Sequence, residues 1–487
     1  MSIQETRRSV TYHPSVWGDY FLVYSSNDIT ASEEQEHQRL KEEVNKLLVA
    51  APNDSLYKLN LIDAVQHVFN KFKDGQGKFE DSLTSNVPGL LSLYEAAQFR
   101  VHGEEILEEA LKFCTSHLGS MIHQASNSLS RQVSEALDTP IHKTLTRLGV
   151  KKFLSIYQES GEEMLLNFAK SDFNIVQKMH QKELSDITRW WKALDFGKNL
   201  SFARDRLVEC YFWILSVYFE PQYFFARKFL TKVIAMGSII DDIYDVYGTL
   251  DDLKLFTDAI ERWDFSAIDQ LPSYMKYFYK SLLEVYLEAE EDLEKIGKSC
   301  RVRYAIDEMK KLVRAYFEEA KWIHNGYAPT LEEYMKVALV SCGYMMLSTA
   351  SLVGMEEVAV TKEAFDWITS EPLSVRASST ICRLMDDMVG YEFEQKLAAV
   401  EYYMKENRAS KEDAHAVFET QVMNAWKDIN EECLNSDAVP MLVLVRVVNL
   451  ARVINLLYKD RDGYSNSKTK LKDIITSILI EPVTISK

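Results

Sequence analysis

The chain has 487 residues, a composition typical of globular proteins and a formal net charge of −17 at pH 7. This length is too great for one ordinary hydrophobic core and predicts two domains. The negative charge argues against a nucleic-acid partner, because neutralising phosphate groups takes a basic surface. It also means that any anionic substrate must be met by local basic residues or by metal ions.

Six cysteines are spread along the chain without a Cys-x-x-Cys pair or any metal-ligand spacing. We interpret them as free thiols in a reducing compartment and expect a cytoplasmic protein. The first residues show neither the apolar core of a signal peptide nor a Ser/Arg-rich transit segment, which favours the same location. The best candidate for a membrane span, residues 439–458, carries polar residues at three-residue steps. We interpret it as a buried helix and expect no membrane partner.

Most of the chain shows the apolar spacing of helices. Residues 1–28 mix Pro14 and Gly18 with aromatic residues and predict irregular structure. From Ala31 onward, apolar residues recur at i, i+3 and i+4, and no sustained period-two alternation appears. We therefore predict an all-α protein with two helical domains, residues 1–170 and residues 171–487. Several helices of the second domain are apolar around most of their circumference, which predicts packing inside a large bundle.

One of these apolar helices ends in three carboxylates. Residues 232–247 are almost wholly aliphatic until Asp241, Asp242 and Asp245. On a helix, Asp241 and Asp245 share one face a turn apart, and no Lys or Arg lies within a turn. Because like charges at this spacing repel, the cluster predicts a bound cation, and Asp oxygens suit Mg²⁺. A solvated acidic helix end is the alternative.

A second acidic cluster follows on a later helix. Asp386, Gly390 and Glu394 stand at four-residue steps, and Arg383 lies one turn before Asp386. Two such clusters facing each other across a cavity would hold Mg²⁺ ions that gather a diphosphate and neutralise a leaving group. An ordinary surface helix is the alternative.

Arg204 and Arg206 form an Arg-x-Arg pair upstream of the first cluster. A guanidinium stays charged and binds phosphate oxygens bidentately, so the pair suits a diphosphate clamp. A surface salt bridge around Asp205 is the alternative.

Together these motifs resemble the plant class I terpene synthases, in particular the sesquiterpene cyclases of the cadinene and germacrene type. The family's motifs are Arg-Arg-x8-Trp, Arg-x-Arg, Asp-Asp-x-x-Asp and (Asn/Asp)-Asp-x-x-(Ser/Thr/Gly)-x-x-x-Glu. They are matched in the same order by Arg7, Arg8 and Trp17; Arg204 and Arg206; Asp241, Asp242 and Asp245; and Asp386, Asp387, Gly390 and Glu394. The likeness covers essentially the whole chain.

The resemblance implies a class I terpenoid synthase α-barrel in the C-terminal domain and a smaller N-terminal α-barrel domain without an active site. Three Mg²⁺ ions, replaceable by Mn²⁺, would be bound by Asp241, Asp245, Asp386 and Glu394, with Asp242 in support. Gly390 offers no side-chain oxygen, so a water would complete the shell of one ion. The diphosphate would be received by basic residues near both motifs: Arg204, Arg206, Arg383 and Lys396.

The resemblance also implies an aromatic cavity wall. Trp213 matches the family's pocket-floor aromatic, and aromatic faces stabilise a carbocation. Tyr344 follows Gly343, which could bend its helix toward the cavity, and Tyr244 lies inside the first acidic motif. Ordinary core packing is the alternative for each ring.

Two further segments are expected to close the cavity. Asp462 and Tyr464 lie in a polar loop that acts as a lid in the family, where excluding water protects a reactive cation. A simple Asp-Gly turn is the alternative. Arg7, Arg8 and Trp17 would lie across the same mouth, and a mobile basic tail is the alternative.

The sequence departs from the family in length. Several tens of residues that the family carries in the first domain are absent between Gln66 and His67. A basic segment is absent after Lys396, which weakens the case for that residue as a diphosphate ligand. Either the protein itself is shorter, or the sequence joins segments that are separated in the natural chain.

The function implied by the resemblance is Mg²⁺-dependent ionisation and cyclisation of farnesyl diphosphate to a sesquiterpene, with release of diphosphate. Such an enzyme is a carbon–oxygen lyase. The alternatives are a monoterpene synthase using geranyl diphosphate, a chain-elongating prenyltransferase, and a non-catalytic isoprenoid-binding helical protein. Against elongation, the second cluster is not another Asp-Asp-x-x-Asp. Nothing indicates an obligate protein partner, so a monomer is expected.

Overall fold

The computed structural model describes residues 12–26, 30–50, 86–121, 127–157, 163–390, 398–466, 468 and 470–485. Within these residues the protein is built from α-helices joined by turns, and none of them forms a strand. The all-α prediction is confirmed. The chain divides into two compact units, Asp28–Ile175 with Pro482–Lys487, and Met1–Asn27 with Val176–Glu481.

The smaller unit is held by an apolar core between its helices. Leu90, Ala97, Cys114, Leu118 and Val133 are almost completely buried in it. The described residues of this unit form five α-helices and the first part of a sixth: α1 (Ala31–Ala50), α2 (Val87–Ala97), α3 (Glu105–Met121), α4 (Asn127–Asp138), α5 (Thr146–Tyr157) and α6 (Glu163–Ala193). Helix α6 runs without interruption through the predicted domain boundary at residues 170 and 171.

The larger unit contains the rest of α6 and the remaining described helices. In chain order these are α7 (Phe196–Asn199), α8 (Leu207–Val217), α9 (Phe224–Asp242), α10 (Leu250–Arg262), α11 (Ser273–Glu294), α12 (Arg301–Asn325), α13 (Leu331–Ser341), α14 (Tyr344–Val353), α15 (Lys362–Thr369), α16 (Leu373–Gly390), α17 (Ala399–Asn407), α18 (Lys411–Asn435), α19 (Met441–Leu457) and α20 (Lys470–Leu479). Residues 12–26 belong to this unit as well. The N-terminal segment, which was expected at the start of the first domain, therefore packs with the acidic helices.

A buried ion pair joins α6, α8 and α9. Arg227 donates from Nη2 to Glu183 Oε1 at 2.6 Å and from Nε to Glu183 Oε2 at 2.8 Å. The Tyr211 hydroxyl donates to the same Oε2 at 2.9 Å. Arg227 also donates to the Glu220 carbonyl at 2.6 Å, which fixes the turn before α9. Because the Arg227 side chain is fully buried, this network sets how the first acidic helix packs.

The first acidic helix ends in a π-turn rather than a regular α-helical turn. Helix α9 stops at Asp242, and Ile243–Tyr247 form a π-helical turn closed by Gly248 N donating to Ile243 O at 2.8 Å. The ring of Tyr247 stacks on Phe202 with centroids 4.0 Å apart. Such turns recur at functional sites, where they alter the direction of side chains. Asp245 lies in this turn, four residues after Asp241.

Where the sequence suggested a bend within one helix at Gly343, the structure has a break between two helices. Gly343 has φ +78°, a left-handed value that glycine adopts without strain, and it separates α13 from α14. All ten residues of Tyr344–Val353 are buried. Leu331–Val353 is also the one described stretch long and apolar enough to cross a membrane, but 72% of its 18-residue apolar window is buried within the protein. We interpret it as two core helices.

The buried ion pair yields a stability prediction. Glu183→Ala leaves the Arg227 guanidinium buried without its counter-charge, and we expect the free energy of unfolding to fall by about 3–5 kcal/mol. Urea denaturation followed by circular dichroism measures the loss. Glu332→Gln, which removes an exposed pair with Lys336, is the control and should leave the midpoint unchanged. Equal midpoints for the two variants would contradict a structural role for Glu183.

Candidate active site

The first acidic cluster is organised around Arg204. Its backbone N–H donates to Asp242 Oδ2 at 2.7 Å, and its Nε lies 2.9 Å from Asp242 Oδ1. Its Nη2 donates to Asp241 Oδ2. Tyr12 lies beside this pair: its ring centroid is 5.1 Å from the guanidinium carbon of Arg204, and its hydroxyl is close enough to Asp242 to affect the pKa of that carboxyl. The Arg-x-Arg and Asp-Asp-x-x-Asp motifs therefore meet, as expected.

Burial makes the charges of this cluster interdependent. Asp242 is fully buried, and burial raises its pKa, an effect that Arg204 opposes and the charge of Asp241 strengthens. Burial disfavours the charge of Arg204, yet the two carboxylates hold its pKa well above the ordinary value. Asp241 is only partly buried. Of the two carboxylates, it is the one better exposed to a ligand.

The second acidic cluster repeats this arrangement around Arg383. Arg383 Nη2 donates to Asp386 Oδ2 and lies 2.6 Å from Asp387 Oδ1. Asp387 Oδ2 accepts from the Tyr334 hydroxyl at 2.9 Å and from the backbone N–H of Ala399 at 2.8 Å. Asp387 is 2% exposed and Asp386 22%. Here too the first aspartate of the motif is the more accessible one.

Tyr458 lies within electrostatic reach of both clusters. Burial raises the pKa of its hydroxyl well above the ordinary value; the charges of Asp386 and Asp462 raise it further, and Arg204 lowers it. Because such effects fade with distance, both Arg204 and Asp386 lie near Tyr458.

Trp213 forms the centre of an aromatic group beside this region. Its ring meets Tyr344, Tyr458 and Tyr464 edge-on, with centroids 6.2, 6.4 and 5.5 Å apart. Its indole N–H donates to the Tyr344 hydroxyl at 3.2 Å, and that hydroxyl donates to Leu450 O at 2.8 Å. The structure thus brings both predicted wall aromatics together. The hydroxyl of Tyr244, in contrast, bonds Thr257 Oγ1 at 2.6 Å, within a packing contact of α10.

The loop after α19 is tied to the same region. Asp462 Oδ1 accepts from the backbone N–H groups of Tyr464 and Ser465, both at 2.9 Å. This is the turn expected from the Asp-Gly pair. The Tyr464 hydroxyl then donates to Ser238 Oγ on α9 at 2.8 Å, and Arg204 Nη1 donates to Ser465 Oγ at 3.3 Å. The expected turn is therefore present, and the loop is bonded to α9 and to Arg204, whereas its action as a lid stays a prediction.

The guanidinium group of Arg206 donates its hydrogen bonds to backbone carbonyl oxygens. It donates to Tyr464 O at 2.9 Å, Ser465 O at 2.6 Å, His13 O at 2.9 Å and Asp205 O at 2.9 Å. Its side chain is almost completely buried. The predicted diphosphate contact is not what this geometry favours, because the guanidinium already joins the loop to the N-terminal segment.

The N-terminal segment has a second anchor. Trp17 is buried, and its indole N–H donates to Glu209 Oε1 on α8 at 3.1 Å. The predicted capping partners Arg7 and Arg8 lie outside the described residues, as do Glu394, Lys396 and the chain around Gln66.

The carboxylates have the chemistry of a magnesium site. Among the described residues, no three His, Cys, Asp or Glu side chains converge on a single ion position, since two carboxylates of each motif turn to an arginine. A Cβ at Gly390 would lie 3.5 Å from Asp386 Oδ1. The absence of a side chain there leaves the Asp386 oxygen accessible, which fits the expected role for a water. Oxygen ligands that are partly exposed and negatively charged fit Mg²⁺.

Several residues of the site carried no signal in the sequence. Tyr12, Tyr334 and Tyr458 come from three different elements, and only the fold places their hydroxyls near the acidic motifs. Ser238 lies three residues before Asp241 on α9, a spacing that places it near the same face. For Ser238, this spacing from Asp241 was the sequence feature that could have identified it as a site residue.

The chain is similar to proteins of known activity. Family models match a terpene synthase N-terminal domain over residues 65–137 and the terpene synthase family metal-binding domain over residues 192–428. A (-)-germacrene D synthase from Origanum vulgare is 54% identical, over 99% of this chain and 96% of the relative. A (-)-germacrene D synthase from Vitis vinifera is 53% identical, over 100% and 97%. A beta-caryophyllene synthase from Phyla dulcis is 50% identical, over 100% and 98%.

Solved structures show the same fold. Limonene synthase with 2-fluorolinalyl diphosphate has a TM-score of 0.89 and 29% identity, over 98% of this chain and 100% of that one. Isoprene synthase from Populus x canescens, in complex with three Mg²⁺ ions and dimethylallyl-S-thiolodiphosphate, has a TM-score of 0.85 and 28% identity, over 97% and 100%. These findings confirm the resemblance drawn from the motifs and the class I terpenoid synthase fold.

The comparisons also bear on length. The alignment with the Origanum vulgare protein spans 540 positions against the 487 residues of this chain, so at least 53 positions of the alignment (540 − 487) have no residue here. The expected shortening relative to the family is therefore present.

The position of Arg206 yields a second prediction. Arg206→Met removes the donors that hold the carbonyls of the loop and the N-terminal segment, so amide hydrogen exchange should become faster in residues 12–17 and 462–466. Mass spectrometry of the exchanged protein measures both segments. Arg461→Met, an exposed arginine of the same loop, is the control and should leave both rates unchanged. Acceleration in only one segment would contradict a joint anchor.

Proposed function

Since the chain belongs to the terpene synthase family, we propose that it is a Mg²⁺-dependent sesquiterpene synthase that ionises farnesyl diphosphate, cyclises the resulting cation and releases diphosphate. Three relatives that are at least 50% identical along nearly the whole chain support this substrate, because they carry the names of sesquiterpene-forming enzymes. The reaction breaks a carbon–oxygen bond, which makes the enzyme a carbon–oxygen lyase.

The observation that carries the proposal is that groups of both acidic clusters lie near one group of aromatic residues. The ring of Tyr464 lies 5.6 Å from the guanidinium carbon of Arg204, and the charges of Arg204 and Asp386 both act on the pKa of the Tyr458 hydroxyl. Trp213 lies against the same tyrosine. A prenyl diphosphate needs both surroundings at once, a charged end for its diphosphate and an apolar, aromatic space for its hydrocarbon chain.

Asp241, Asp245 and Asp386, together with Glu394, would hold Mg²⁺, since oxygen ligands of this kind are those that Mg²⁺ prefers. When bound, the ions neutralise charge on the departing diphosphate. Arg204 and Arg383 pair with carboxylates in the structure. Mg²⁺ ions bound to these carboxylates would compensate their negative charge. The guanidinium groups would then be free to bind phosphate oxygens bidentately.

The hydrocarbon chain of the substrate would be surrounded by aromatic side chains and covered by the loop that carries Asp462 and Tyr464. Three edge-on tyrosines hold the indole of Trp213 in one orientation, and the negative face of an aromatic ring stabilises a carbocation by about 2 kcal/mol when desolvated. The loop carrying Asp462 and Tyr464 is bonded to Ser238 and Arg204. Holding this loop over the cavity excludes water, which would otherwise quench the cation.

We further propose a monomeric, cytoplasmic enzyme. All six cysteines are free thiols, in keeping with a reducing compartment.

Product analysis tests the substrate. Incubation with farnesyl diphosphate and Mg²⁺ should give fifteen-carbon hydrocarbons by gas chromatography, with one diphosphate released per molecule consumed. Geranyl diphosphate, supported by the likeness to limonene synthase, should be turned over less efficiently. A preference for geranyl diphosphate would indicate a monoterpene synthase. Binding of either diphosphate without any hydrocarbon product would indicate a non-catalytic protein.

Substitution of Asp241, a proposed Mg²⁺ ligand, tests whether the reaction depends on a metal bound at this site. Asp241→Asn keeps the size of the side chain but removes its charge, and we expect turnover to fall at least about 100-fold, with a higher Mg²⁺ requirement. Added EDTA should abolish product formation in the unmodified enzyme. Asp258→Asn, at an exposed position of α10, is the matched control. Full turnover by Asp241→Asn would remove Asp241 from the metal site.

A further inference from the structure

The second aspartate of each acidic motif, Asp242 on α9 and Asp387 on α16, has a similar set of neighbours. Asp242 receives a backbone N–H and a guanidinium contact from Arg204, and the Tyr12 side chain, whose ring lies 5.1 Å from the Arg204 guanidinium carbon, places its hydroxyl near the same carboxylate. Asp387 receives a backbone N–H from Ala399, a guanidinium contact from Arg383 and the hydroxyl of Tyr334. Each has one arginine, one amide and one tyrosine hydroxyl.

The tyrosines come from elements other than the acidic helices. Tyr12 belongs to the N-terminal segment, which is held by the contact between His13 O and Arg206. Tyr334 lies on α13, where it is 4% exposed and its ring lies 4.9 Å from that of Tyr402. Each hydroxyl is therefore fixed independently of the helix whose carboxylate it meets.

Each arginine divides its contacts between two aspartates. Arg204 pairs with both Asp241 and Asp242, and Arg383 pairs with both Asp386 and Asp387. If an arginine turns to a phosphate, the buried second aspartate loses its cation and keeps only its neutral donors. A buried carboxylate that has lost donors is costly, so it would hold its arginine back from the phosphate.

We propose that Tyr12 and Tyr334 are positioning residues that hold Asp242 and Asp387 in place when Arg204 and Arg383 turn to the diphosphate. This inference rests on the proposed function. Neither tyrosine needs to touch the ions or the substrate. Each acts through the carboxylate beside the metal-binding one, in the manner of the outer-shell hydrogen bonds that orient metal ligands.

The experiment uses Tyr12→Phe and Tyr334→Phe, which keep the ring and remove the hydroxyl. The full-length proteins are titrated with Mg²⁺ in the presence of inorganic diphosphate, and the rise in thermal midpoint is followed by scanning fluorimetry. We expect each variant to need about 10–100-fold more Mg²⁺ for half of the full rise. The Mg²⁺ dependence of turnover of farnesyl diphosphate should shift in the same direction.

Tyr304→Phe is the matched control. It removes a tyrosine–aspartate hydrogen bond of 3.1 Å, to Asp366, at an exposed place on α12. We expect an unchanged Mg²⁺ requirement. Tyr12 is partly exposed, so its variant should fold normally even if Tyr334→Phe, in the core, does not.

The outcomes separate the two proposals. If Mg²⁺ and diphosphate stabilise the unmodified protein and both tyrosine variants equally, the positioning role is overturned and the proposed function stands. A lower midpoint without ligands, with no change in Mg²⁺ requirement, would assign the hydroxyls to folding alone and overturn the role as well. If the unmodified protein shows no response to Mg²⁺ and diphosphate, the proposed function fails first.

Discussion

A buried arginine shared by two neighbouring aspartates is the interaction on which the site depends. It occurs twice, with Arg204 at the first acidic motif and Arg383 at the second. Carboxylates this deeply buried need a nearby positive charge and hydrogen-bond donors, because an uncompensated charge inside a protein is strongly disfavoured. The same need makes the site receptive to divalent cations, which can take over the negative charge when a diphosphate arrives.

Buried arginines of the larger unit serve different purposes. Arg227 neutralises Glu183 and fixes the packing of three helices. Arg206 binds four backbone carbonyls and joins the N-terminal segment to the loop after α19. Arg204 and Arg383 pair with carboxylates whose charge a metal ion could compensate. Arg227 and Arg206 thus maintain the scaffold, whereas Arg204 and Arg383 are placed to exchange partners.

Much of the fold and part of the site followed from local patterns. The spacing of apolar residues predicted helices throughout. Gly343 suggested a bend before Tyr344, and the structure has a helix break there, where glycine adopts left-handed backbone angles without strain. The acidic motifs and Trp213 were identified from their residue types. The π-turn that carries Asp245 was not predicted, and Tyr247 at its end stacks on Phe202, which lies 45 positions earlier in the chain.

By itself the sequence determined the helical class, the two acidic clusters and the family resemblance, because helical periodicity and short motifs are properties of neighbouring residues. Only the tertiary structure decided which groups each charge meets. It placed Arg206 on the carbonyls of His13, Tyr464 and Ser465 instead of at a phosphate. It also brought Tyr12 and Tyr334 to the second aspartates. These partners lie far apart along the chain, and only packing brings them within hydrogen-bonding distance.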